Sequence, residues 1–250
     1  LQRDNNTKRI VVIGDSFVLA TQVNVEDSFP TLLERNLNSK YDNARFEVYS
    51  FGFGGWPLSQ YLFMMEYTLN KYNPDVVIIN LIFNDFKESL TNYHSKPYFF
   101  QFKKINDSFI VKKPIEYENA NLRKLIAKSS IVRYFYLNLR LYSKEWSKNT
   151  QNQGIIGRML PHCEIDSSTQ FVSDKQKMQE IRLLTRYIFS QMKSLADNHN
   201  TTLIFSMDAA RSKIYTNQIQ DKHGLTNLAE NLSNELNINF IDLTPYFASD

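Results

Sequence analysis

A three-layer α/β sandwich around a five-stranded parallel sheet is what this sequence predicts, and three observations predict it. Apolar, β-branched runs recur along the chain, amphipathic helical segments separate them, and short polar or glycine-rich turns follow the first three runs. Right-handed crossovers between successive strands would cover both faces of the sheet and give the flavodoxin-like strand order 2-1-3-4-5.

The elements follow in order. Residues 9–13, RIVVI, form a β-branched run that reads as a strand buried on both faces. In 26–40, Phe29, Leu32, Leu33 and Leu37 repeat at helical spacing, and Pro30 is tolerable in a first turn. Residues 45–51, RFEVYSF, alternate as a strand does. Helix 59–72 follows and is ended by Asn73-Pro74. DVVIINLIF, 75–83, is the strongest buried strand in the sequence. The pattern then resumes with a long helix over 175–199, a strand over 201–207, a helix over 224–236 and a last strand over 238–243.

Residues 87–174 interrupt this rhythm as an insertion at the carboxyl edge of the sheet, where open α/β folds bind ligands. Its first part, 96–117, reads as a hairpin turning near Asn106-Asp107. An aromatic, basic helix over 121–146 and a polar stretch to 174 complete it. A cap over the site and a decorated crossover are both compatible with this pattern. The basic helix also admits a membrane-surface reading, although aromatic stripes are more often core.

Composition narrows the function. The chain has 250 residues, 42% of them hydrophobic, enough for one substantial core and one domain. With 22% charged residues and a net charge of only +3, nothing points to nucleic acid. The single cysteine, Cys163, excludes an intramolecular disulfide framework. The histidines His94, His162, His199 and His223 lack metal-ligand spacing, so no metal and no other cofactor is expected. No apolar run is long enough to span a membrane. The sequence begins at Leu1 rather than Met, which reads as a fragment or a processed chain.

Three strand ends carry chemistry. Gly14-Asp15-Ser16 follows the first strand, FGFGGW (51–56) the second and Asn84-Asp85 the third. Each could be an ordinary turn. Together they offer a hydroxyl nucleophile at Ser16, close backbone approach at Gly54-Gly55 and an amide donor at Asn84. Acyl transfer requires this combination, because its tetrahedral intermediate carries a negative oxygen that preorganised donors stabilise. No phosphate-binding glycine motif competes with this reading.

In these residues and their order the chain resembles the SGNH (GDSL-type) hydrolase superfamily, and especially its bacterial branch acting on carbohydrate O-acyl groups. The resemblance extends over the whole chain, including VEDSFPTLLERNL as the first helix and the KPYFF hairpin. It implies Ser16 as the nucleophile. Gly55, at a five-residue offset from Gln60, and Asn84 are implied as oxyanion-hole donors beside the Ser16 backbone N–H; Gly54 is the nearby alternative. It also implies a small-molecule or glycan ester as substrate and an extracytoplasmic location. One feature departs from the family, whose members place an Asp-x-x-His shortly beyond the last strand. Asp221-Lys222-His223 has the wrong spacing, His199 ends a helix on the opposite side and Asp242 lies in a strand. The catalytic pair is therefore expected beyond Asp250; a degenerate member without it is the alternative. A serine esterase, an O-acyltransferase to a sugar hydroxyl and a non-catalytic carbohydrate-binding domain all remain compatible with the sequence.

Overall fold

The computed structural model describes residue 4, residues 6–106 and 108–116, residue 130, residues 174–209 and residues 224–248. Most of these belong to one compact unit formed by Leu1–Pro114 and Thr169–Asp250; a second unit spans Ile115–Ser168. The helix expected over 121–146, the polar stretch after it, His162, Cys163 and His223 lie outside the described residues.

Strand β1, Thr7–Gly14, buries every residue except Lys8 and therefore sits inside the sheet. Strand β2, Arg45–Gly52, is half-buried or exposed throughout, as its alternating sequence suits an edge. Strands β3 (Val76–Leu81), β6 (Thr202–Met207) and β7 (Asn239–Asp242) complete a five-stranded sheet in the order β2-β1-β3-β6-β7. All four pairings are parallel, so the expected topology is present. Gly14 pairs with Gly52, and Ile13 with Ile79. The carboxyl ends of β1, β2 and β3 consequently finish side by side.

Helices cover the sheet from both sides. On one face α3 (Leu58–Tyr72), α5 (Asp174–Asn198) and α6 (Gly224–Glu235) bury Met65, Leu69, Ile188, Phe189 and Leu232 against Val11, Ile13, Val77, Ile79 and Phe205. The Phe189 and Phe205 rings meet at 4.3 Å. On the other face α2 (Phe29–Lys40) packs Leu33 and Leu37 on Ile10, Val12 and Val18. It begins three residues later than its apolar spacing suggests. Val25–Asp27 form a 3-10 turn, and Pro30 occupies the first turn, where a missing N–H costs nothing.

The hairpin of β4 (Gln101–Ile105) and β5 (Ser108–Lys112) turns at Asn106, which adopts a left-handed φ of 52°. Phe102 is buried in the main core, so the start of the inserted segment is integral to the sheet-bearing unit. Arg9 fastens the amino end of the sheet. Its backbone N–H donates to Asp75 at 2.8 Å, its Nε pairs with Glu47 at 3.2 Å, and an Nη donates to the Tyr72 carbonyl at 3.1 Å. The opposite end is left to the loops.

Three short helices went unread in the sequence: α1 (Ser16–Leu19), α4 (Phe83–Glu88) and α7 (Thr244–Ala248). The first rests directly on the end of β2. A Cβ at Gly52 would lie 2.3 Å from the Leu19 nitrogen and 2.7 Å from the Val18 carbonyl carbon, both rigid backbone atoms. Gly52→Ala is therefore expected to push α1, and Ser16 with it, off the sheet edge. The expected cost is about 1–3 kcal/mol, read as a lower midpoint of urea unfolding. An unchanged midpoint would contradict this packing.

Candidate active site

Ser16 opens α1, directly after the Gly14-Asp15 turn that leaves β1. Asp15 is buried and caps the helix, accepting the Phe17 N–H at 2.9 Å. The half-buried Ser16 hydroxyl donates to the other oxygen of Asp15 at 3.3 Å. That is long for an O–H···O bond, so little holds the hydroxyl in its ground-state rotamer. Among the described residues the Ser16 N–H meets no acceptor.

The second strand delivers a tight turn. Phe53 N–H donates to the Gly14 carbonyl at 3.3 Å, which ties this turn to the one bearing Ser16. Trp56 N–H closes the turn on the Phe53 carbonyl at 3.2 Å. Of the two glycines inside, Gly55 has a φ of +78°, a conformation that disfavours any side chain. Gly54 has no φ in that range. The Gly55 N–H has no acceptor among the described residues, while its carbonyl accepts from Lys96 Nζ at 2.5 Å.

The third strand leads into α4, where Asn84 is half-buried and Asp85 fully buried. Asp85 reaches back to accept the Ile82 N–H at 3.1 Å and the Tyr61 hydroxyl at 2.7 Å. The Asn84 amide donates to Glu88 at 3.1 Å and to Asp85 at 3.3 Å. Both contacts share the Nδ2 atom of a planar amide, and the one to Asp85 is the longer. Glu88 in turn pairs with Lys96 at 2.6 Å. Gly55 and Asn84 are thus joined through Lys96 and Glu88, and Ser16 joins their strand ends through Asp15 and the Phe53–Gly14 bond.

Three carboxylates crowd this edge. Burial pushes the Asp85 carboxyl well above the ordinary range, the charges of Asp15 and Glu88 add to that, and the bonds from Tyr61 and Ile82 oppose it. Burial also raises the Tyr61 hydroxyl, with the Asp85 charge next in weight. Among the described residues, no group of three or more His, Cys, Asp or Glu side chains is arranged to hold a metal ion. Among the same residues, no helix is long and apolar enough to cross a membrane. A cleft of about 540 Å³ lined by Val18, Leu19, Val25, Thr31, Val48 and Ser50 opens beside α1; none of Ser16, Gly55 or Asn84 lines it.

The raised Asp85 carboxyl has a consequence for stability. The folded chain holds this proton to higher pH than the unfolded chain, whose value is the ordinary 3.8. The associated stability is complete below that value and is lost as pH rises through the folded one. Asp85→Asn cannot ionise. Its melting temperature, relative to the parent, is expected to rise steadily above about pH 4. A difference that stays constant with pH would show that Asp85 ionises as easily folded as unfolded.

Serine, glycine and asparagine were legible because each follows a recognisable strand. Tyr61 and Lys96 were not, because Asp85 and Gly55 lie 24 and 41 positions away. Glu88 was not, because an acidic residue on a short helix carries no pattern of its own. No protein-family model matches the chain, and no curated protein does. Solved structures similar to it include AlinE4, an SGNH-hydrolase family esterase, at 10% identity over 96% of this chain and 77% of that one, with a TM-score of 0.44. Another is LAE5, an alpha/beta hydrolase enzyme from the metagenome of Lake Arreo, at 10% identity over 97% and 79%, with a TM-score of 0.46. A third is a catalytic mutant of an acetylxylan esterase from Geobacillus stearothermophilus, at 12% identity over 97% and 78%, with a TM-score of 0.41. Likeness at this level carries nothing about chemistry, which rests on the site itself.

Proposed function

We propose that this chain forms the core of an SGNH-type serine esterase that removes short acyl groups from a carbohydrate. One observation carries the reading: serine, glycine and asparagine stand after three neighbouring parallel strands, at the same edge of one sheet. In the proposed reaction Ser16 Oγ attacks the acyl carbon and its proton passes to a base. The tetrahedral oxygen is met by the backbone N–H groups of Ser16 and Gly55 and by the Asn84 amide. Collapse expels the sugar alkoxide, which takes the proton from the base. Water then attacks the acyl-serine by the same route and releases the carboxylic acid. Each oxyanion donor contributes about 2.7–4 kcal/mol in comparable sites.

The proton acceptor is not at Ser16 among the described residues. His199 closes α5 at the amino end of β6, the opposite edge of the sheet, and the exposed His94 makes no hydrogen bond with Ser16. We propose that the base is the histidine of an Asp-x-x-His pair downstream of β7, where the family resemblance puts it. The sugar is favoured by an aromatic face beside the oxyanion turn. Half-exposed Phe53 stacks on Trp56 at 5.8 Å and meets Phe99 edge-on at 6.1 Å. Such a face suits the apolar side of a pyranose.

The test is acetate release from an O-acetylated oligosaccharide by the protein extended through the downstream pair, compared with the 250-residue chain. The extended protein is expected to turn over and the shorter one to give only a trace, since a serine hydroxyl without a base is a weak nucleophile. Equal, rapid hydrolysis by both would overturn the assignment of the base. Hydrolysis by neither would overturn the esterase.

A further inference from the structure

We propose that Lys96 and Glu88 form a clamp that positions both oxyanion donors and cancels the charge opposing the oxyanion. The inference rests on the esterase reading above and gives roles to two residues to which neither the motifs nor the family resemblance assigns one.

The clamp is anchored from below. Gln101 is fully buried, and its side-chain amide is saturated by backbone. Its Nε2 donates to the carbonyls of Glu88 and His94, each at 2.6 Å, and its Oε1 accepts the Lys96 N–H at 2.7 Å. One side chain thereby fixes the backbone positions from which Glu88 and Lys96 project. Their own side chains, 12% and 15% exposed, meet at 2.6 Å. From that junction Lys96 reaches the Gly55 carbonyl at 2.5 Å and Glu88 reaches the Asn84 amide at 3.1 Å. The Lys96 bond pins the peptide plane on the carbonyl side of Gly55, one Cα away from the N–H offered to the oxyanion. The Glu88 bond orients the planar Asn84 amide, whose other contact, to Asp85, is the longer at 3.3 Å and is the one an oxyanion would compete for.

Charge makes the second argument. A carboxylate beside a developing oxyanion works against it, and more strongly as water is excluded. Glu88 is shielded from water and stands within hydrogen-bond reach of Asn84. Among the described residues the Lys96 ammonium, which also faces the Phe99 ring at 5.9 Å, is the cation paired with it. Lys96 is therefore a positioning and neutralising residue and makes no bond to the reacting atoms.

Kinetics on p-nitrophenyl acetate with the extended protein tests the clamp. Lys96→Met is expected to lower kcat about 10²-fold with KM changed less than about twofold, because the interaction matters in the transition state. Glu88→Gln keeps an acceptor for Asn84 and is expected to lower kcat only about tenfold. In the double variant the uncompensated carboxylate is gone, so kcat should recover above that of Lys96→Met alone. A merely structural pair would lower melting temperature and leave the kcat-to-KM split and the recovery absent. Parental kcat in Lys96→Met, or strictly additive losses, would overturn the clamp. Should Lys96→Met fail to fold by circular dichroism, Glu88→Gln decides alone, and an unchanged kcat overturns the proposal. Ser16→Ala runs in the same series. If it is inactive while Lys96→Met is unimpaired, only the clamp falls; if it retains full turnover, the esterase reading falls and takes the clamp with it.

Discussion

Ser16→Ala is expected to lower kcat for ester hydrolysis by about 10⁴–10⁶ in the extended protein, with the fold intact. In another serine hydrolase, loss of the nucleophile costs about 2 × 10⁶, and the oxyanion hole with substrate binding retains roughly 10³–10⁴ over water. The residual rate here should likewise come from Gly55 and Asn84. Stability should hardly change, because the hydroxyl makes only a 3.3 Å bond to Asp15 and the helix cap is made by Asp15 itself. Steady-state kinetics and thermal unfolding on the same preparation check both halves. Near-parental turnover with the variant folded would remove Ser16 from the chemistry.

Asn84→Ala is expected to reduce kcat by roughly 10²–10³ while leaving KM within a few-fold, as loss of a donor realised in the transition state does. The alternative role for Asn84 is structural, since its amide bonds Glu88 and Asp85 on its own helix. A structural role predicts a lower melting temperature and little kinetic change. Measuring kcat, KM and melting temperature together separates the two. A variant that loses stability and keeps kcat assigns Asn84 to the helix.

The fold was legible because a parallel sheet writes itself plainly. Val11 and Ile13 face one core and Val12 the other; in β3 Val77 and Ile79 face the first core while Val76 and Ile78 pack on the second. The runs are therefore apolar on both faces and carry no helical periodicity to confuse them. The edge strand β2 was readable from its alternation for the converse reason. The short helices α1 and α4 were missed because four to six residues carry no amphipathic repeat. The capping residues Asp15 and Asp85 were visible only as members of a motif. Ser16, Gly55 and Asn84 could be found because strand ends locate them. The polar partners could not. Tyr61 meets Asp85 across 24 positions and Lys96 meets Gly55 across 41, and single-chain patterns do not encode such pairings. Gln101 resembled any polar strand residue, yet it is buried and holds three backbone groups.

Covalent labelling tests the central claim most directly. The extended protein, treated with a fluorophosphonate, is to be digested and the modified peptide sequenced by mass spectrometry. A single adduct on Ser16, formed faster than on free serine and absent from Ser16→Ala, is the expected result. Labelling of another serine, or an unmodified Ser16 in protein that still hydrolyses esters, would contradict it.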